Sequence, residues 1–314
     1  MKETENVSRR KFLGATATAS AAITFPHVLN AQKARSETVR FGLVGCGGRG
    51  TGAATQILNS QHNTKLVAMA DAYIDKVDGA HKRVARTHEK KVDVPQDMKF
   101  AGFDAYKKLM EQDLDLVVLA TSPGFRPLHF ENAVNKGLHV FMEKPVGVDG
   151  PGIRRVLAAN EIAKKKNLLV AVGLQRHHEP QYQETIKRLQ DGAIGDINYM
   201  RAFWNGGGVW TRGRQADQTE LQYQMRNWYY FNWLCGDHIT EQHIHNLDVI
   251  NWLKDGFPVE ANGQGGREVR GNSANDGDAK NHGEIFDHHF VEYKYADGSR
   301  LYSQCRHIKG CFNS

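Results

Sequence analysis

The glycine-rich segment at residues 45–50 limits what this chain can fold into more than any other feature. It follows an apolar run at residues 39–44 and precedes a segment of helix-compatible composition. In a G-x-G-x-x-G fingerprint the first glycine permits a tight turn, the second lets the backbone approach a pyrophosphate, and the third allows close helix packing. Amides and the dipole at the helix N-terminus then hold the phosphates. The pattern predicts dinucleotide binding through Gly45, Cys46, Gly47, Gly48, Arg49 and Gly50.

An acidic residue, Asp71, ends the next apolar run, 21 residues after Gly50. A carboxylate at this distance from the glycines accepts hydrogen bonds from the ribose hydroxyls and repels a 2′-phosphate. The cofactor prediction is therefore NAD, with NADP disfavoured.

Short apolar runs alternate with helical segments from Thr38 onward, which is typical of a parallel sheet with crossover helices. We predict strands at residues 39–44, 66–70, 116–120, 139–142 and 168–172, and helices at residues 72–90 and 151–166. Later, long polar loops are expected at residues 205–218 and 261–287, and a hairpin at residues 290–304 around Asp297-Gly298. The predicted architecture is an α/β fold. A Rossmann dinucleotide-binding domain (residues 38–174) is followed by an α/β domain (residues 175–314) with an open mixed or antiparallel sheet.

The first 31 residues resemble a twin-arginine signal peptide. Paired Arg9 and Arg10 are followed by Lys11-Phe12-Leu13 and a mild apolar stretch at residues 14–25, too short and too weakly apolar to span a bilayer. A frayed amphipathic helix is the alternative. The pattern predicts recognition by the twin-arginine export machinery, passage in the folded state and a periplasmic location.

The composition, with 40% hydrophobic and 24% charged residues, is typical of a globular enzyme. The formal net charge of +6 is spread along the chain without a basic stripe, so nucleic-acid binding is not expected. The four cysteines lack a metal-ligand spacing. Only Cys305 and Cys311 are candidates for a disulfide after export, and reduced packing residues are the favoured interpretation.

The tripeptide Glu143-Lys144-Pro145 follows the predicted strand at residues 139–142. Ligands bind beyond the carboxyl ends of strands in open α/β sheets, so Lys144 is expected to face the reacting end of the cofactor. Its ammonium is suited to hydrogen-bond a substrate hydroxyl or carbonyl. The alternative is a solvated surface lysine.

The densest polar run covers residues 236–248. On one continuous helix, Glu241 and His245 are one turn apart with Asp248 on the same stripe, so the carboxylate would orient the imidazole as a general base. The alternative is a helix start whose histidines only satisfy buried polar groups. A metal site is not expected, because His238, His243 and His245 match neither H-E-x-x-H nor H-x-x-E-H.

Aromatic residues crowd the stretch before this run, and most are expected to pack in a core. Two or three of them on the loop side are suited to stack on a sugar ring, with arginines bonding hydroxyls or a carboxylate. The predicted substrate class is a carbohydrate or polyol. The candidate substrate residues are Arg176, Arg201, Trp204, Trp228 and Tyr229, with Asp248 on the neighbouring helical stripe.

Several separated motifs together resemble the family named for glucose-fructose oxidoreductase, inositol dehydrogenase and a rhizopine catabolism protein (Gfo/Idh/MocA). They are residues 44–50, Thr121-Ser122-Pro123 with His129, Glu143-Lys144-Pro145, Gln175-Arg176, Gly195-Asp196, and His245-Asn246-Leu247-Asp248. The resemblance implies a second domain whose open sheet covers the nicotinamide and often mediates homo-oligomerisation. It adds Thr121, Ser122, Pro123, His129, Glu143, Lys144 and Gln175 to the cofactor side.

The same resemblance places Lys144, Glu241 and His245 at the hydride-transfer site. Relatives usually carry Asp where this chain has Glu241, so Asp237, one turn earlier, is a second candidate for part of that role. Relatives generally continue with further strands and a closing helix beyond the position of Ser314. We therefore expect either a compact member or a fragment.

Three functions are compatible with these observations. The first is an exported NAD-dependent oxidoreductase acting on a sugar, sugar derivative or cyclitol by hydride transfer. The second is a glycoside-cleaving or isomerising enzyme that uses tightly bound NAD in a closed redox cycle. The third is a non-catalytic sugar-binding module.

Overall fold

A computed structural model describes residues 38–270 and 283–312 of the chain. The predicted signal peptide, residues 1–31, lies outside the described residues. No helix within the described ranges combines the length and apolar character needed to cross a membrane.

The first sheet has six parallel strands in the order β3-β2-β1-β4-β5-β6. The strands are β1 (Val39–Val44), β2 (Thr64–Asp71), β3 (Lys99–Ala101), β4 (Leu116–Leu119), β5 (His139–Met142) and β6 (Val170–Val172). This is the doubly wound order of a Rossmann fold, and the strand order reverses between β1 and β4. A crevice for a dinucleotide is expected at that reversal.

Five helices cover the two faces of this sheet. They are α1 (Gly48–Asn59), α2 (Ile74–His88), α3 (Ala105–Met110), α4 (Arg126–Lys136) and α5 (Gly150–Lys165). One hydrophobic core forms on each face, with Phe41 and Leu43 in one and Val44 and Val117 in the other. Because both faces are covered, the central strands are apolar runs without alternation.

The second sheet is mixed and has four strands in the order β7-β10-β9-β8. The strands are β7 (Tyr199–Gly206), β8 (Glu260–Gly266), β9 (His288–Lys294) and β10 (Arg300–His307). Only the β7–β10 pair is parallel. Five further helices accompany the sheet, namely α6 (Pro180–Gln190), α7 (Glu220–Arg226), α8 (Asn232–Cys235), α9 (Asp237–Glu241) and α10 (Ile244–Lys254).

One face of this second sheet packs on α10 and the other is open. Leu247 and Ile250 of α10 contact Met200, Ala202 and Leu301. Side chains along β10 alternate accordingly, because successive residues of a strand point to opposite faces. The α/β fold with a Rossmann sheet and a mixed second sheet is thus confirmed.

The structure corrects one local prediction. Residues 260–266 form strand β8, although their glycines and polar residues had predicted a loop across residues 261–287. The strand forms because its backbone pairs with β9, a contact between distant segments. The exposed side chains of β8 carry no strand pattern that would have predicted it. The predicted hairpin is present as β9 and β10. All four cysteines are free, and Cys305 is buried within β10.

Candidate functional site

A cavity of about 1010 Å³ lies at the carboxyl edge of the Rossmann sheet, where the strand order reverses. It is large enough for a dinucleotide-sized ligand. The predicted cofactor residues that line it are Gly45, Cys46, Gly47, Gly48, Arg49, Asp71, Thr121, Ser122 and His129. Both sides of the strand-order reversal thus contribute to one cavity.

The glycine-rich turn has the shape that phosphate binding requires. Gly45 has a positive φ of 97°, and its N–H donates to the Ala70 carbonyl at 2.8 Å. A Cβ at Gly50 would lie 1.9 Å from the Gly45 carbonyl oxygen, whereas a Cβ at Gly47 would meet nothing within 4 Å. Gly50 therefore allows close packing of α1, and Gly47 leaves open space toward the cavity. These residues fit the pyrophosphate of a dinucleotide at the N-terminus of α1.

Asp71 lies at the end of β2 with its carboxylate fixed by the backbone. It accepts the Cys46 N–H at 2.7 Å and the Tyr73 N–H at 3.1 Å. Burial raises the pKa of Asp71, and these two hydrogen bonds oppose that shift. Because a carboxylate has about four acceptor positions, acceptor capacity remains for ribose hydroxyls.

The second domain contributes residues to this cavity that sequence analysis missed. They are Trp210, Arg212, Met225 and Arg226, which join the predicted Trp228. The Arg226 guanidinium lies 4.5 Å from the Tyr73 ring centroid, and the Arg212 guanidinium lies 4.5 Å from that of Trp210. The predicted polar loop at residues 205–218 therefore lies over the dinucleotide cleft. Its Trp-Thr-Arg sequence was the available signal, because exposed loops seldom carry tryptophan.

A buried arginine, which sequence analysis also missed, binds two backbone carbonyls at the carboxyl edge of the first sheet. Arg126 donates to the carbonyls of Thr121 and Pro145, and burial lowers its pKa to about 10. Glu143 forms an ion pair with Arg49 at 2.7 Å. Arg126 thus ties the Thr121 turn to the Glu143-Lys144-Pro145 segment. Its only sequence signal was an arginine at the start of the helix after that turn.

Lys144 meets Glu241 across the two domains. The Lys144 ammonium lies 2.8 Å from the Glu241 carboxylate and also donates to the Glu241 main-chain carbonyl. The two side chains are only 14% and 12% exposed. Separating two charges that are this shielded from water is costly, because each would be left without a compensating partner. The structure therefore brings together two of the three predicted catalytic residues.

The third, His245, lies on a different helix from Glu241. Helix α9 ends at Glu241 and α10 begins at Ile244, so the continuous helix predicted over both residues is wrong. The physical reason is a local turn in which the His243 N–H bonds the His238 carbonyl and the His245 N–H bonds the Gln242 carbonyl. Glu241 pairs with Lys144 and not with the imidazole.

Burial is the main cause that lowers the pKa of His245, to about 4, and the charges of Lys144 and Arg176 lower it further. The imidazole is therefore neutral near pH 7 and able to accept a proton. Its ring stacks on Trp204 with 6.0 Å between centroids. Lys144 therefore pairs with Glu241, and its charge also acts on His245.

Three of the predicted substrate residues line a second cavity of about 430 Å³. They are Arg176, Arg201 and Trp204, together with Tyr182 and Asn246. Arg176 donates to the His245 carbonyl at 3.0 Å and to the Asn246 side chain at 2.5 Å. This cavity therefore adjoins the His245 segment.

The remaining predicted residues lie elsewhere. Tyr229 is buried in a core cluster and lines neither cavity. Asp248 pairs with His177 at 2.7 Å instead of facing His245. Gly50 and Pro123 are buried, whereas Gln175 is exposed, and these three line neither cavity.

The Rossmann sheet, the glycine turn, the fixed Asp71 and the Lys144–Glu241 pair define a dinucleotide-binding protein of two α/β domains. Residues 39–174 match the family described as the Gfo/Idh/MocA oxidoreductase family with an NAD-binding Rossmann fold. The match covers the dinucleotide-binding domain of this chain.

The relatives include proteins named as inositol 2-dehydrogenases. Inositol 2-dehydrogenase 4 of Saccharopolyspora erythraea is 33% identical over 159 residues, which cover 50% of this chain and 42% of the relative. Inositol 2-dehydrogenase of Rhizobium meliloti is 29% identical over 225 residues, which cover 71% and 57%. The chain therefore spans about half the length of these curated relatives.

Solved structures share the fold. Myo-inositol 2-dehydrogenase from Lactobacillus plantarum superposes with a TM-score of 0.64 at 20% identity, covering 85% of this chain and 69% of that one. At this identity the likeness establishes the two-domain fold and leaves the substrate open.

Proposed function

We propose that this protein is an NAD-dependent oxidoreductase that oxidises a hydroxyl of a sugar, sugar derivative or cyclitol by hydride transfer. The observation that carries the proposal is the largely buried Lys144–Glu241 pair at the carboxyl edge of the Rossmann sheet, together with His245, whose pKa the Lys144 charge helps to lower. The inositol dehydrogenase names of the relatives support the substrate class. NAD, held by the glycine turn and Asp71, would supply the two-electron acceptor.

The chain's own residues divide the remaining work. Neutral His245 would take the hydroxyl proton of the substrate, because a pKa of about 4 leaves one nitrogen of its imidazole unprotonated at neutral pH. Lys144 would donate a hydrogen bond to the same oxygen and stabilise negative charge on it. Glu241 would hold the ammonium in place through the 2.8 Å contact.

The test compares Lys144→Ala and His245→Ala with variants at matched positions. Each is expected to lower kcat by about 10²–10⁴, the usual contribution of a positioned acid or base, while NAD affinity stays within a few-fold. Lys99→Ala is the control for the lysine, since Lys99 is 11% exposed, pairs with Asp78 at 3.0 Å and lines neither cavity. The half-buried His81, which lines neither cavity, provides the control His81→Asn.

The substrates for this test are myo-inositol and a panel of aldoses, with NADH formation followed by absorbance. A His245→Ala enzyme with unchanged kcat removes His245 from the mechanism. Equal losses in the Lys99→Ala control would show that the lysine effect is one of stability. Absence of turnover across the whole panel, with NAD bound, would favour a sugar-binding module.

A second candidate function, a closed redox cycle with retained NAD, is favoured by the contribution of both domains to the lining of the cavity. Trp210, Arg212 and Arg226 of the second domain line the same space as the glycine turn. A dinucleotide held between both domains would dissociate slowly. The twin-arginine pattern of residues 8–13 supports retention of NAD as well. We propose that the protein is exported folded to the periplasm, which has no replenished nicotinamide pool, so the cofactor would have to be carried along and reused.

The distinguishing measurement is the nucleotide content of protein purified without added NAD. A closed cycle predicts nearly stoichiometric NAD or NADH after gel filtration and no net NADH during turnover. Empty protein that forms one NADH per substrate would leave ordinary dehydrogenation.

A further inference from the structure

A second polar cluster lies under the second sheet, apart from the Lys144–Glu241 pair. Asp237, His238 and His289 bring one ligand atom each within 4.8 Å of one another. Asp237 and His238 begin α9, and His289 lies on β9, so the cluster joins a helix to a strand 51 residues away. Asp237 and His238 are buried, and the His289 side chain is 13% exposed.

The Asp237 carboxylate presents one oxygen to both imidazoles. Its Oδ1 lies 2.8 Å from His238 Nδ1 and 3.3 Å from His289 Nε2, whereas Oδ2 accepts the Phe286 N–H at 2.9 Å. Four-coordinate zinc with ligands at 2.0–2.2 Å places neighbouring ligand atoms roughly 3.3–3.6 Å apart. Small side-chain rotations would therefore give this cluster the spacing of a metal site.

Two of the imidazole nitrogens have no hydrogen bond among the described residues. They are the solvent-inaccessible Nε2 atoms of His238 and His289. The 3.3 Å approach of the latter to Asp237 lacks the geometry of a hydrogen bond. Only His289 presents its unpaired Nε2 to the Asp237 carboxylate, since His238 faces that carboxylate with its Nδ1. Buried nitrogens are normally satisfied, and a bound ion would satisfy this one.

The donor set suits a cation. The site offers one carboxylate and two imidazoles, which are ligand types that zinc accepts in proteins.

A positive charge, that of Arg270, lies near the cluster. Its guanidinium donates to His307 Nδ1 at 2.6 Å. Asp287, which accepts three backbone N–H groups from residues 268–270, faces the same arginine and offsets its charge. His307 in turn stacks on His238 with 4.2 Å between ring centroids.

Asp237 also holds an unusual backbone conformation, with a φ of 68°. Left-handed conformations at non-glycine residues cost free energy and are kept where the surroundings require them. Here the conformation aims the carboxylate at both imidazoles at the start of α9.

We propose that Asp237, His238 and His289 bind a divalent transition-metal ion of the zinc class, with a fourth position left for water or another oxygen or nitrogen ligand. The ion fastens α9 to β9. Because α9 ends at Glu241, the metal fixes the position of the carboxylate that pairs with Lys144. The proposal concerns binding of the ion and is independent of which substrate the enzyme takes.

The test measures metal directly in the full chain. Protein purified without chelator is assayed for zinc by mass spectrometry, stripped with a chelator, and titrated with Zn²⁺ alone by calorimetry. Wild type is expected to bind about one ion per chain, since three protein ligands suffice for a zinc site with an open position. Cobalt substitution should give the visible absorption bands of tetrahedral coordination.

Variants identify the ligands. His289→Gln and Asp237→Asn are expected to lose the bound ion and the cobalt spectrum. The matched control is His288→Gln, at the preceding residue of β9, where the imidazole contacts Asp287 instead. Circular dichroism reports whether each variant folds, and the wild-type titration and cobalt spectrum remain decisive if the ligand variants do not.

Two results would overturn the proposal. One is stripped, folded wild type that neither binds Zn²⁺ nor gives tetrahedral cobalt bands. The other is His289→Gln protein that retains the wild-type metal content. Loss of turnover with normal metal binding would instead count against the oxidoreductase proposal alone.

Discussion

Three glycine-to-alanine substitutions in the nucleotide turn separate packing from cofactor binding. A Cβ at Gly50 would lie 1.9 Å from the Gly45 carbonyl oxygen, and one at Gly52 or Gly47 would meet nothing within 4 Å. Gly50 and Gly52 both lie in α1, so they share the same helix and the same chemical change. Gly47 precedes α1 with a φ of −70°, which alanine adopts without strain.

The expected magnitudes follow from these distances. The Gly50→Ala clash is between backbone-anchored atoms, so α1 must move by more than an ångström, and we expect a loss of about 3 kcal/mol in the free energy of unfolding, at the upper end of overpacking costs. Gly52→Ala should stabilise by roughly 0.5–1 kcal/mol, because alanine lowers the entropy of the unfolded chain. Gly47→Ala should leave stability unchanged and weaken NAD binding at least tenfold, since its methyl group occupies the space left for the pyrophosphate.

The assay pairs urea denaturation with NAD titration by calorimetry for all three variants and wild type. Opposite signs of the stability change at Gly50 and Gly52 are the central expectation. A Gly50→Ala protein as stable as wild type would refute the close packing of α1 on the turn. Unchanged NAD affinity in Gly47→Ala would refute the placement of the pyrophosphate.

Two further predictions concern charge and pH. Asp71→Asn should weaken NAD binding by roughly 1–3 kcal/mol, the range for a charge-assisted hydrogen bond, and raise the NADP:NAD affinity ratio. Calorimetric titration with both dinucleotides measures the two affinities. Wild type that binds NAD and NADP equally would contradict the role assigned to Asp71. Burial lowers the pKa of His129 to about 3, as it does that of His307. Between about pH 6.5 and pH 3 the unfolded chain then binds more protons than the folded protein. The free energy of unfolding should therefore decrease as the pH is lowered through that window, by up to about 1.4 kcal/mol per pH unit for each histidine. Urea midpoints that do not change between pH 7 and pH 5 would contradict this.

Much of the Rossmann half was predictable because its information is local. A short stretch of sequence contains the apolar run of β1, the glycines that follow it and Asp71 at the end of β2. Each of these residue types is required there by the local backbone conformation or by the position at the end of a strand. The same is not true of β8, whose glycine-rich sequence becomes a strand only through pairing with β9. Residues 210–226 likewise reach the cofactor cavity only because the second domain places them over it.

The sequence by itself determined the dinucleotide turn, the strand-helix alternation and the chemical types of Lys144, Glu241 and His245. Tertiary structure alone decided their partners. Spacing along a helix predicted that Glu241 would orient His245. In the structure the helix is interrupted before α10, and Glu241 instead pairs with Lys144, which follows β5. His289 joined Asp237 and His238 for the same reason. Contacts between distant segments are set by how sheets and helices pack, and a pattern of neighbouring residues does not contain that information.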